Sequence, residues 1–297
     1  MANTVDFTKM NEYIARESDR LIVESATQAK SLDYVNVLLG IKHKEAIPYL
    51  NAEVSLAAAS CGWDPAGSDY FGERMIEVHP IEIEKEYCFY SFKPYVSNLQ
   101  MRFAAGLESM PWEEKVADAN VQATKAELEK ALWQGNSGAS ITGWLADAET
   151  DSAATVTFTS GQTVVGKVDA MVAGLTSNML AKGVTIFMSE TDFRNYVLES
   201  NGTCCANRPI LDAAAENITY AGDSRIKLVG VAGLEDTGAM VASTKDGLTY
   251  GTDIEDSEAR YEWFEDKKES KFLLRIMFVA GTAILLPSDV LVGKAGE

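Results

Sequence analysis

The chain has 297 residues, 46% of them apolar, and a formal charge of −18 from 26 cationic and 44 acidic side chains. That apolar content is enough for one large core or two moderate ones. The sign of the charge excludes a protein that holds nucleic acid by neutralising its phosphates with Lys and Arg.

Residues 1–30 carry Asp6, Glu12, Glu17, Asp19 and Glu24 and no apolar core, so no secretion signal is expected. They read as a polar arm with helical spacing only at Met10, Ile14 and Leu21. Such an arm either frays as a terminal helix or lies on a neighbouring subunit. Cys61, Cys88, Cys204 and Cys205 form no CxxC pair, and reduced thiols in a cytosolic compartment are expected.

A hairpin pattern follows. Leu50, Ala52, Val54 and Leu56 alternate with Asn51, Glu53 and Ser55, the period of a half-buried strand. The returning strand has Ile76 and Val78, then Ile81 and Ile83, with a change of phase at Pro80 that signals a bulge or bend on an exposed edge. The connection, residues 57–74, far exceeds the usual hairpin loop of about 2–5 residues. A lone two-stranded ribbon is not stable in water, so it must lean on something, and another subunit is a natural support.

Pro111 opens a helix over residues 112–134. Glu113 and Glu114 favour its first turn and Gly135 ends it. Val116, Ala119, Ala123, Leu128 and Leu132 predict a single apolar stripe lying on a flat surface. A second helix is expected over 168–180, stopped by Gly183, then a strand at 184–188. Ser189 caps a third helix whose Phe193, Tyr196 and Val197 face the core. Strands follow near 226–231 and 239–243. The mixture lacks a regular βαβ series and reads as α+β.

Near the C-terminus a short apolar strand runs into Gly251, followed by a charged stretch, residues 254–271, expected as an exposed connection. The apolar run 272–286 is shorter than the roughly 20 residues of a membrane helix and contains Arg275. Its apolar residues fall on both alternating sets, which predicts a strand buried on both faces and no membrane contact.

Catalytic patterns are sparse. Residues 161–167 match GxxxxGK, but Val168 stands where a phosphate loop needs Ser or Thr for Mg²⁺. A nucleotide-dependent enzyme using this degenerate loop, Gly161 to Lys167, is the competing reading. His43 and His79 are the only histidines, without HExxH or a metal-spaced cysteine pair. No catalytic residue, cofactor or metal is expected.

The order of parts (polar arm, long ribbon, long helix, mixed domain, late strand pair) resembles the major capsid protein of a tailed bacteriophage with the Hong Kong 97-like fold. The segments 233–256 and 272–292 resemble what such proteins carry near their C-termini. The resemblance implies an α+β capsid fold: an N-terminal arm at 1–44, an extended β-ribbon loop at 45–95, a peripheral domain at 96–159 with spine helix 112–134, an axial domain at 160–266 and closing strands at 267–297. It also implies a structural protein, not an enzyme, that self-assembles into hexamers and pentamers of an icosahedral head. The head would be built in the host bacterial cytoplasm around double-stranded DNA held without sequence-specific binding. A separate scaffolding protein, a portal and other head proteins are the implied partners. An encapsulin-type compartment is the alternative within this fold. Intersubunit contacts are expected at Trp63, Asp64, Tyr70, Phe71, Glu82, Glu84 and Lys85, and Lys–Asn cross-links of the kind some relatives make have no assignable partner for Lys85.

Overall fold

The structure is a computed structural model that describes residues 8–54, 67–106, 111–151, 153–202, 217–220, 223–253, 260–266 and 268–296. From the N-terminus, α1 (Thr8–Thr27) leads through a 3-10 turn at Lys30–Tyr34 to β1 (Asn36–Leu39), β2 (Lys44–Val54), β3 (Gly67–Glu77) and β4 (His79–Cys88). Three helices follow: α2 (Phe89–Ala104), α3 (Trp112–Gln134) and α4 (Trp144–Thr150). Then come β5 (Ala154–Phe158), α5 (Val164–Gly174), α6 (Ser177–Lys182), β6 (Val184–Ser189) and α7 (Glu190–Gly202). The remainder is β7 (Asn217–Thr219), β8 (Ile226–Val231), β9 (Met240–Ser243), β10 (Leu248–Asp253), β11 (Arg260–Asp266), β12 (Lys271–Ile284) and β13 (Val290–Ala295).

These strands make two sheets and a separate ribbon. The first sheet runs β1-β10-β12-β11, with β4 on β12 as well; the second runs β5-β13-β9-β6-β8-β7; β2 and β3 pair only with each other. The first half of β12 pairs with β11 and the second with β10, while β4 spans residues Lys271 to Ala280 of it.

The expected helix at 112–134 is α3, with Pro111 before it, Glu113 and Glu114 in the first turn and Gly135 leaving it at φ +78°. Its stripe differs from the expected one. Ala119 and Ala123 are exposed, whereas Asn120, Thr124 and Glu129 are buried together with Val116, Ala117, Val121, Leu128, Leu132 and Trp133. The cause is that α3 is clasped by several elements: α1 and α2 along its length, and the turn at Ala232–Leu234 near its end. The arm likewise lies on its own chain. α1 buries Met10, Ile14, Leu21, Ile22 and Ala26, and Tyr250 Oη donates to the Ala26 carbonyl at 2.9 Å.

Trp133 joins the sheets. It is fully buried, with ring centroids 4.9 Å from Trp144 and 5.0 Å from Phe187, and its Nε1 donates to Ser31 Oγ at 2.7 Å. Ser31 in turn donates from both N and Oγ to the buried Glu129 carboxylate, whose pKa burial pushes up against those hydrogen bonds. The second sheet presents Phe187, Val229, Val231 and Val241 to this core and Ile186, Met188, Leu228 and Ala242 to α5, α6 and α7. Covered on both faces, its central strands need apolar residues in succession.

The two-faced burial expected of residues 272–286 holds only in the second half of β12. There the ribbon root crosses the far face, and Ile41, Ile76, Val78, Val279 and Ala283 form a small core of their own. In the first half Phe272, Leu274 and Ile276 are buried while Leu273, Arg275 and Met277 are half-exposed. The charged stretch is also more than a connection: β11 lies inside it and buries Tyr261 and Trp263. The helix expected at 168–180 is divided into α5 and α6 at Leu175, where Thr176 caps the second piece by accepting from Met179 N at 3.3 Å. Ser189 caps α7 as expected, accepting from Asp192 N at 3.0 Å, and Phe193, Tyr196 and Val197 are buried.

Candidate assembly surfaces

The ribbon stands apart from both sheets, since β2 and β3 pair only with each other. Its pairing runs from Lys44↔Glu77 to Val54↔Gly67, so side chains of cross-strand partners share a face. On one face Ile47 packs on the small core at the root, and the Arg74 guanidinium pairs with the Asp151 carboxylate just beyond α4. On the opposite face Ala46 pairs with Met75 and Pro48 with Glu73, and Phe71 lies beyond them; all of these are exposed. An apolar face open to water makes the ribbon a candidate interaction surface.

The expected continuous returning strand divides at the ribbon root. Pairing with β2 stops at Glu77, Val78 N donates to the His43 carbonyl at 2.8 Å, and β4 turns into the first sheet. The phase change at Pro80 is therefore a passage from ribbon to core, one residue after His79 begins the new strand. Both histidines flank this crossing, and His79 Nε2 lies 3.9 Å from Glu77 Oε1.

A partly buried carboxyl sits beneath the root. Thr282 Oγ1 of β12 donates to Asp147 Oδ2 of α4 at 2.9 Å. Burial raises the Asp147 carboxyl to about 6, the Thr282 hydroxyl opposes the rise and Asp151 adds to it. A carboxyl raised in this way stabilises the fold fully below its unfolded value near 3.8, and that contribution is lost as pH climbs through about 6. Asp147→Asn, whose amide oxygen still accepts from Thr282, is therefore expected to raise stability by about 1–3 kcal/mol at pH 7.5 and to change little at pH 3, below both values. Urea melts at the two pH values check this, and equal effects at both would refute it.

Of the residues expected at intersubunit contacts, Trp63 and Asp64 lie outside the described residues, as does the side chain of Tyr70 on β3. Phe71 stands on the open ribbon face. Glu82, Glu84 and Lys85 belong to β4 of the first sheet, not to the ribbon pairing, and engage their own chain. Arg275 Nε is 2.7 Å from Glu82 Oε1, and its Nη2 is 2.7 Å from Glu84 Oε1. Lys85 Nζ donates to Asn120 Oδ1 at 3.0 Å, and Tyr87 Oη donates to the same oxygen at 2.8 Å. Two elements of this surface escape sequence periodicity. Arg74 is one charge among many, and α2 is disguised by Pro94 inside it.

The phosphate-loop match folds as a helix start. Thr163 caps α5 through Gly166 N at 3.2 Å, and Val165 N donates to Glu199 Oε2 at 3.0 Å. Lys167 Nζ lies 5.7 Å from the Phe158 ring centroid. Backbone donors that would cradle a phosphate are thus already used by the chain's own oxygens. Among the described residues no group of three or more His, Cys, Asp or Glu is placed to hold a metal, and no helix is long and apolar enough to cross a membrane. Cys88 is a free, exposed thiol, and the other cysteines lie outside the described residues.

No family model matches the sequence, and no curated protein matches it. Solved structures do match. The chain is similar to one in the satellite phage P4 procapsid that includes the size determination (Sid) protein, at TM-score 0.62 and 10% identity over 100% of this chain and 94% of that one. It is similar to a chain of Gordonia phage Cozz at TM-score 0.59 and 12% identity, covering 92% and 88%. A third likeness is to the capsid of the native GTA particle, at TM-score 0.57 and 12% identity, covering 91% and 90%. At such identities the likeness establishes the fold: an α+β chain with the Hong Kong 97-like architecture of phage capsid proteins.

Proposed function

We propose that this chain is the major capsid protein of a tailed bacteriophage, a structural subunit that self-assembles into hexamers and pentamers of an icosahedral head. The observation that carries the reading is the likeness of 91–100% of the chain to phage and GTA capsid structures. The ribbon supports it independently, since among the described residues its open apolar face packs on none of the subunit's cores. In this reading residues 1–44 are the arm, 45–95 the extended loop, 96–159 the peripheral domain, 160–266 the axial domain and 267–297 the closing strands. The subunit works as a wall and not as an enzyme. Its charge of −18 leaves packaged double-stranded DNA free to slide where that charge faces inward. Assembly takes place in the host bacterial cytoplasm with a separate scaffolding protein, and the finished shell carries a portal and other head proteins.

Negative-stain microscopy of the expressed chain tests this directly, alone and with a scaffolding protein. Rings or closed shells are expected; a monomer at every concentration under both conditions would sink the reading. Particles that copurify with an enzyme cargo instead of DNA would mark an encapsulin-type compartment. Deleting residues 62–72 is expected to abolish shells while the subunit melts as the intact chain does. Normal shells from that deletion would remove the ribbon from assembly.

A further inference from the structure

We propose that the open ribbon face of one copy docks on the outer stripe of α2 in a second copy, a contact that rests on the shell reading above. Among the described residues, two exposed apolar surfaces match in form. On the ribbon, Phe71 is 76% and Met75 52% exposed, with Ala46 and Pro48 exposed beside them. On α2, Phe92, Val96 and Leu99 are the side buried in the subunit. The opposite side carries Tyr90, 78% exposed, then Pro94, and Met101, 58% exposed. Their spacing places the three on one line of the helix. From Tyr90 to Met101 that line is about 16 Å long, and Phe71 to Met75 on the ribbon is about 13 Å, so one can lie along the other.

Charge selects the pair. Strands β2 and β3 hold Glu45, Glu53, Asp69, Glu73 and Glu77 against Lys44 and Arg74. Residues 89–106 hold Lys93 and Arg102 and no carboxylate, in a chain with 44 acidic residues. Lys93 and Arg102 lie on opposite flanks of the α2 stripe, so Glu73, between Phe71 and Met75 on the open face, would meet one or the other according to which way the ribbon lies along the helix. A second copy supplies both the shape and the sign, because every copy carries a ribbon and an α2. Buried apolar area would hold the contact, and the charges would fix its register and reject like surfaces.

The test uses full-length chain in a Cys88→Ser background. Met75→Cys and Met101→Cys are prepared separately, one of them isotope-labelled, then mixed, assembled and oxidised. A disulfide-linked peptide joining positions 75 and 101 from two different chains is expected. Well-formed shells without that link would overturn the docking proposal and leave the shell reading intact. Intact chain that forms neither rings nor shells would overturn the shell reading and the proposal with it. Because cysteine can perturb the patch, charge provides a second measurement. Glu73→Lys is expected to lower shell yield by at least about tenfold without changing the subunit's melt, and Lys93→Glu with Arg102→Glu is expected to restore it. Unchanged yield from Glu73→Lys, or no recovery in the reversed set, also overturns it.

Discussion

Trp133→Ala is expected to destabilise the unassembled subunit by about 3–5 kcal/mol, a large part of the total stability of a typical domain. The side chain is fully buried where α3, α4, the 3-10 turn at Lys30–Tyr34 and β6 meet, in ring contact with Trp144 and Phe187. Removing it leaves a void that rigid neighbours cannot fill, since the surrounding groups are themselves large and held on separate elements. It also takes the indole donor from Ser31 Oγ, whose own hydroxyl serves the buried Glu129 carboxylate. Trp133→Phe separates the two losses: most of the volume remains while the donor is gone, and a cost of about 1–2 kcal/mol is expected. Denaturant melts should show the midpoint falling with an unchanged slope. A cost for Trp133→Ala below that of the phenylalanine variant would show that the two sheets are joined elsewhere.

How far the sequence discloses this architecture depends on which forces acted locally. α3 is legible to the residue, because its ends are set by Pro111 and Gly135 and by charges in its first turn. Its buried face is not, because Asn120, Thr124 and Glu129 are buried by contacts with other segments. Asn120 takes Lys85 and Tyr87, and Glu129 takes Ser31. β11 is hidden by its composition: Arg260, Glu262 and Asp266 dominate the stretch, and only Tyr261 and Trp263 alternate inward. Of the residues expected at subunit contacts, some can be placed on the surface and others cannot. Phe71 is apolar in a strand and proves exposed. Glu82, Glu84 and Lys85 share a run of sequence with the ribbon, yet the break at Val78 carries them into a different sheet. Proximity along the chain cannot reveal such a break; pairing partners nearly two hundred residues away decide it.

The break itself rests on two glycines, and the larger effect on assembly is expected there. Gly251 of β10 and Gly281 of β12 are directly opposite each other in the register, and together they leave a shallow seat on the first sheet. The chain at Glu77 and Val78 crosses this seat. A Cβ on Gly281 would drive into the Glu77 carbonyl oxygen and lie 2.9 Å from the Val78 Cα, both main-chain atoms. Those atoms cannot swing aside, because Val78 is buried and its N–H is held by the His43 carbonyl. A Cβ on Gly251 would instead meet the side-chain tips of Ile76 and Val78 at 2.8 and 2.9 Å, which can change rotamer. Gly281→Ala is therefore expected to cost about 1–3 kcal/mol, Gly281→Val more, and Gly251→Ala less than either. The consequence reaches beyond stability. Displacing the crossing lifts Ile76 and Arg74 from the small core and from Asp151, so the ribbon loses its fixed direction. Limited proteolysis should then cut near the root, and shells should fail even at a temperature where the subunit body remains folded. If Gly281→Val resists protease at the root and assembles as the intact chain does, the glycine pair is not what aims the ribbon.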